Sequence, residues 1–234
     1  LYYLEFEETK NWKKYIFSIV FFVLAMLSKP VVVVLPLILI LWYWWKTEKL
    51  GIKQLIPTIP DCIPSLLFAL ITLWLGQDTD KLSFPLSTID KFLIAGRAVC
   101  FYAFKLFWPI DVVAIYPKWK INSNDINQYI YPLIVIVVVS ALFFQRKKIG
   151  KGPFTVVLFF IILLLPILGL ISFNYMEYTF VADRYQYLAS IGIIILFSSI
   201  ITGLFEKYNI SWNSFTLSGM GCLFILLGIL TWKQ

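Results

Sequence analysis

The sequence predicts an all-α, polytopic transmembrane helix bundle with about seven membrane helical segments and one further helix along the outer interface. Three observations lead there. Hydrophobic residues make up 60% of the chain and charged residues 14%, and the mean hydropathy is +0.84, far from the balance of a soluble domain. The apolar residues gather in runs close to the roughly 20 that cross a hydrocarbon core as a helix. Lysine, tryptophan and tyrosine collect at the ends of those runs, as they do at a membrane edge.

Taken in order, the chain opens on "LYYLEFEETKNWKK", an apolar stub without an initiator Met or a signal-peptide pattern. It closes on "LLGILTWKQ", where a span ends. Both features read as the ends of an internal part, residues 1–234, of a longer membrane domain.

The stretch 15–45, "YIFSIVFFVLAMLSKPVVVVLPLILILWYWW", is too long for one upright helix. As a single helix it measures roughly 46 Å against a core of about 30 Å. Pro30 disfavours helix at Lys29 and cannot donate into the preceding turn, so the expected form is a hairpin broken at "SKP". Lys13 and Lys14 before it and Lys46, Lys49 and Lys53 after it then share the cytoplasmic side. Trp42, Trp44 and Trp45 form an inner aromatic belt, and Trp74, Trp108 and Trp119 part of an outer one.

Further spans are expected at 55–76, 129–145, 153–173, 187–204 and 214–232. Asp61, among Pro57, Pro60 and Pro64, reads as an interfacial residue at a cytoplasmic entrance. The amphipathic run "DKFLIAGRAVCFYAFKLFWP" carries Lys91, Arg97 and Lys105, so it lies along the outer interface instead of crossing. That placement puts "RKKIGKG", the strongest basic cluster, inside. The loop 108–128 is the longest polar stretch, and outer loops of this kind cover ligand sites.

Composition narrows the chemistry. There is no histidine, and Cys62, Cys100 and Cys222 are widely scattered, so neither a His/Cys metal centre nor a disulfide framework is expected. No cofactor is expected either. The net charge of +7 lies beside apolar runs, which points to membrane lipid as the partner and away from nucleic acid.

Isolated outer cations remain: Lys29, Arg97, Lys105 and Arg184. Lys29 stands between two apolar segments, where a lysine either snorkels to the water edge or has a partner and a use. In "VADRYQYLASIG", Asp183 and Arg184 read either as an edge pair flanked by the interfacial Tyr185 and Tyr187 or as a site. In the second case Arg184 is a forked clamp for phosphate oxygens, and Asp183 orients it or touches a sugar hydroxyl.

Four stretches, "LAMLSKPVVVVLPLILIL", "KLFWPIDVVAIYP", "LLLPILGLISF" and "VADRYQYLASIG", occur in one order. In that order and spacing, over about residues 10–234, the chain resembles the membrane region of the transmembrane and tetratricopeptide-repeat-containing O-mannosyltransferases and their bacterial relatives, of the GT-C glycosyltransferase superfamily. The resemblance implies an inverting transfer of a sugar, mannose among the options, from a polyprenyl-phosphate carrier to a protein acceptor at the outer or lumenal face. It places the protein in a bacterial inner membrane or the endoplasmic reticulum, with tetratricopeptide repeats following. The catalytic base is expected in a first outer loop that precedes these residues, so no catalytic residue is assigned. Trp42 stands where many relatives have an Asp.

Under that resemblance Lys29 and Arg184, with Arg97 as a third, are the candidate binders of the donor phosphate. Tyr116, Tyr187 and Asp183 support them, with Asp183 expected to position Arg184 and Tyr116 and Trp119 to stack on lipid or sugar. Two other classes share many of these features. A noncatalytic membrane scaffold for the repeats has the same spans. A secondary transporter also tolerates a broken helix, although "SKP" has no counterpart in a second half.

Overall fold

The computed structural model describes residues 2–47, 56–76, 86–109, 113–170, 176, 178–207 and isolated positions between 219 and 229. Every regular element among the described residues is helical. Helix α1, Tyr2–Thr9, folds back along α2, Trp12–Ser28. Asn11 caps α2 by accepting from the Lys13 backbone N–H at 3.0 Å, and Tyr2 stacks on Phe21 with ring centres 5.5 Å apart.

The chain leaves helical geometry at Lys29, where φ −142° and ψ 113° are extended, as the following proline requires. A 3-10 turn, Pro30–Val34, leads into α3, Leu35–Thr47. Tyr15 near the start of α2 and Leu39 and Tyr43 of α3 share one apolar cluster with Tyr3 and Phe6, and the Tyr3 and Tyr43 hydroxyls are 3.2 Å apart. The two helices are therefore antiparallel, and "SKP" is the tip of a hairpin.

Helix α4, Ile59–Gly76, begins beside Tyr15, whose hydroxyl donates to the Pro57 carbonyl at 2.9 Å. Helix α5, Thr88–Phe107, starts at a capping box made by Ser87 and Asp90. Helix α6, Ile130–Ile149, ends at Gly150, whose φ of +84° turns the chain sharply. Helix α7, Gly152–Leu164, and helix α8, Tyr187–Lys207, follow.

Among the described residues, three helical stretches are long and apolar enough to cross a membrane by length and composition: Pro30–Thr47, Ile126–Ile149 and Tyr187–Lys207. Two more, Ile56–Thr72 and Gly152–Ile167, are apolar but shorter. The expected span 153–173 is helical over Gly152–Ile167, shorter than expected, and 171–173 lie outside the described residues. Its helix stops at Leu164, a 3-10 turn containing Pro166 follows, and Gly169 takes a φ of +83°. Leu164, Ile167 and Leu168 are buried in the protein core, so the apolar character of this stretch serves packing. The expected span 214–232 falls almost wholly outside the described residues.

Helix α5 packs its apolar stripe against protein. Ile94, Ala98 and Tyr102 on it are 0% exposed, and Leu93, Ala95 and Val99 are buried with them. It is the most deeply packed helix among the described residues, and its apolar stripe faces protein. Gly96 permits the approach of α6, because a Cβ there would stand 2.7 Å from Pro132.

The outer faces of α2, α4, α6 and α8 are apolar and uncovered by the described residues. Phe17, Phe21, Leu24 and Leu27 on α2 are exposed, as are Leu66, Leu67, Leu70 and Ile71 on α4. Leu133, Ile134, Ile136 and Val137 on α6 and Ile191, Ile194, Ile195 and Phe197 on α8 continue the pattern. Such a continuous apolar surface far exceeds what a monomer in water carries.

Candidate functional site

The hairpin tip, the 113–119 loop segment and the segment 181–187 converge on one core. Val34 of the tip, Tyr116 of the loop and Val181 and Ala189 near the third segment belong to the same buried cluster, with Val31, Val33, Trp119 and Tyr185 packed against it.

Lys29 reaches across to Tyr187. Its ammonium donates to the Tyr187 hydroxyl and lies 4.6 Å from the centre of that ring. Both side chains are exposed, Tyr187 by 52%. The Lys29 carbonyl turns inward and accepts from Val32 N–H at 3.1 Å, which holds the tip.

Tyr116 donates to Asp183 Oδ2 at 2.6 Å, and the Val113 N–H donates to the Tyr116 hydroxyl at 3.4 Å. Asp183 Oδ1 is buried with no hydrogen-bond partner among the described residues. One position earlier, Tyr102 holds the backbone on both sides. Its hydroxyl accepts from Ala182 N–H at 3.0 Å and faces the Ala182 carbonyl at 3.3 Å.

Asp183 does not position Arg184 by pairing with it, contrary to expectation. Asp183–Tyr185 is a 3-10 turn, and three residues per turn send successive side chains about 120° apart. Asp183 points to the 113–119 segment, while exposed Arg184 lies along Tyr185, with its guanidinium 5.2 Å from that ring and Nη2 donating to the hydroxyl at 3.4 Å.

Arg97 is held elsewhere. Its guanidinium stacks 4.5 Å from the Trp119 ring and 5.4 Å from the Tyr131 ring, at the start of α6. Phe101 links it to Tyr116, meeting Trp119 at 6.0 Å and Tyr116 at 4.9 Å. Trp119 is thus packed between Arg97, Phe101 and Phe180. Nearby, Cys100 donates its S–H to the Tyr131 carbonyl at 3.6 Å, and burial pushes its thiol up.

Sequence reasoning missed the hold of Tyr102 on Ala182, the pairing of Lys105 with the rings of Phe101 and Tyr116 at 5.7 and 5.3 Å, and Lys118 over Phe180 at 5.9 Å. A signal for Tyr102 was present. Ala95, Ala98, Val99 and Tyr102 follow the i, i+3, i+4, i+7 spacing of a helix face, and a tyrosine on a buried face needs a polar partner.

Asp61 corrects a further expectation. It is 1% exposed, and neither carboxylate oxygen has a hydrogen-bond partner among the described residues. It is an interior residue of the α2–α3–α4 end and not an interfacial one.

The site thus defines a class: an all-helical bundle with broad apolar outer faces, carrying cations on aromatic rings at one end. No protein-family model matches the chain, and no curated protein and no solved structure matches it.

Proposed function

We propose that this chain is part of a multi-pass integral membrane glycosyltransferase that takes a sugar from a polyprenyl-phosphate carrier and passes it to a protein acceptor at the outer or lumenal face. The observation that carries the reading is the meeting of Lys29 with Tyr187, beside Arg184 and the Tyr116–Asp183 bond, at one end of helices whose outer faces are apolar. A polyprenyl-phosphate sugar is a long apolar tail ending in an anion, and this end of the bundle offers the matching pair of environments.

The chemistry follows from charge. As the bond from sugar to phosphate breaks, negative charge grows on the phosphate oxygens, and fixed cations near them lower the barrier. Arg184 supplies a permanently charged fork and Lys29 a point charge. Tyr187 fixes the direction of Lys29. Asp183, tied to Tyr116, anchors the segment that bears Arg184.

The test is lipid-linked sugar turnover by the protein reconstituted in vesicles. Arg184→Lys is expected to lose most of its transfer activity while inserting normally, because an ammonium does not reproduce a two-pronged contact. Full activity in both Arg184→Lys and Lys29→Ala would leave these residues as membrane-edge groups and remove the basis of the proposal.

A further inference from the structure

At the opposite end of the bundle from Lys29, three helix ends meet around a guanidinium. Arg146, in the last turn of α6, lies 3.7 Å from the centre of Phe143 and 5.9 Å from that of Trp44 of α3. Trp44 in turn packs on Phe154 of α7 at 5.3 Å. Lys151, just before α7, donates to the Trp45 carbonyl at 3.4 Å, and Lys46 stands 5.0 Å over the Trp42 ring. Lys147 and Lys148 are exposed beside them.

Arg146 is not satisfied by this arrangement. Its Nη1 is buried with no hydrogen-bond partner, and it makes no ion pair among the described residues. A guanidinium has five N–H donors in a fixed fork, and leaving one buried without an acceptor is costly. The aromatic walls fix the fork in place and lower the entropy lost when an anion arrives. Exposed apolar faces of α6, among them those of Ile136 and Val137, run away from this collar.

We propose that the collar formed by Trp44, Arg146 and Lys151 is a binding site for the phosphate headgroup of an anionic phospholipid, seated between α3, α6 and α7 with its acyl chains along α6. Charge complementarity selects the anion. The adjoining apolar face selects a lipid over free phosphate, since basic pockets between apolar helices at one membrane face hold acidic headgroups. The inference rests on the membrane reading of the helices and is independent of the sugar-transfer site.

Native mass spectrometry of the detergent-solubilised protein, titrated with phosphatidylglycerol or phosphatidylcholine, tests it. Wild type is expected to retain phosphatidylglycerol in preference, and Arg146→Ala to lose about tenfold in its affinity. Arg146→Lys falls between them, and Lys120→Ala, on the loop at the other end, binds as wild type does. A thermal shift of the wild-type protein covers the case of a poorly folding variant: phosphatidylglycerol should raise its unfolding temperature more than phosphatidylcholine does. Equal retention of the two lipids, unchanged affinity in Arg146→Ala, or displacement of the lipid by millimolar inorganic phosphate would each overturn the proposal. Normal insertion into phosphatidylcholine vesicles in any of those cases would leave the membrane reading standing.

Discussion

The hydroxyl of Tyr116 donates to Asp183 Oδ2 at 2.6 Å, tying two segments 67 positions apart. It is the only side-chain hydrogen bond that Asp183 makes among the described residues, so Tyr116→Phe removes it and leaves the carboxylate unsatisfied. The expected cost is about 1–3 kcal/mol of stability, together with lower sugar transfer. Asp183→Asn is expected to cost less, because its amide oxygen still accepts from the phenol. Denaturant unfolding in mixed micelles for the two single variants and the double variant measures the coupling, and additive effects would show that the bond contributes nothing.

Lys29 and Tyr187 form a contact that is exposed and so contributes little to folding. Tyr187→Phe keeps the ring beneath the ammonium and Tyr187→Ala removes it. Both variants are expected to unfold within about 0.5 kcal/mol of wild type, with transfer falling further in Tyr187→Ala. Turnover measured beside thermal unfolding separates an effect on Lys29 from an effect on folding.

The hairpin places Lys29 and the 181–187 segment at one end of the bundle and Arg146 with Trp44 at the other. With Cys62, Cys100 and Cys222 replaced, Lys29→Cys and Arg184→Cys are expected to react with an impermeant maleimide from one side of the membrane. Lys147→Cys should react only from the opposite side. Labelling of all three from one side would invalidate the arrangement in the bilayer.

Gly96 and Gly203 give opposite expectations for one substitution. A Cβ on Gly96 meets Pro132 at 2.7 Å, whereas one on Gly203 meets nothing within 4 Å. Gly96→Ala is expected to destabilise by about 1–3 kcal/mol through overpacking. Gly203→Ala is expected to be neutral or to stabilise by up to about 1 kcal/mol through helix propensity. Thermal unfolding of the two variants, side by side, checks the sign of each.

Asp61 is buried without a hydrogen-bond partner for its carboxylate among the described residues. An interior acid in that state weakens the fold, so Asp61→Asn, and more strongly Asp61→Leu, is expected to raise stability by about 1–3 kcal/mol. A drop in unfolding temperature for both would show that the carboxylate has a favourable partner in the native protein.

Local chemistry in the sequence was enough for the helical class and the break at Lys29, and Gly150 in "RKKIGKG" is where the structure turns. Proline lacks an N–H and restricts the residue before it, and glycine alone enters a positive φ without strain, so these positions speak for themselves. The long apolar runs of α6 and α8 were legible for the same reason, since length and hydropathy are properties of contiguous residues. What covers an apolar face is not such a property. The apolar stripe of α5 reads equally well as facing lipid or protein, and only tertiary packing buried Ile94, Ala98 and Tyr102. The run after Gly152 was apolar because Leu164, Ile167 and Leu168 fill the core, and its helix ended near Pro166 once the chain met its neighbours. Partner choice was likewise decided in three dimensions. Adjacency in sequence suggested Asp183 with Arg184, but a 3-10 turn parts neighbouring side chains, and the hydroxyl that Asp183 accepts from arrives on a loop 67 positions away.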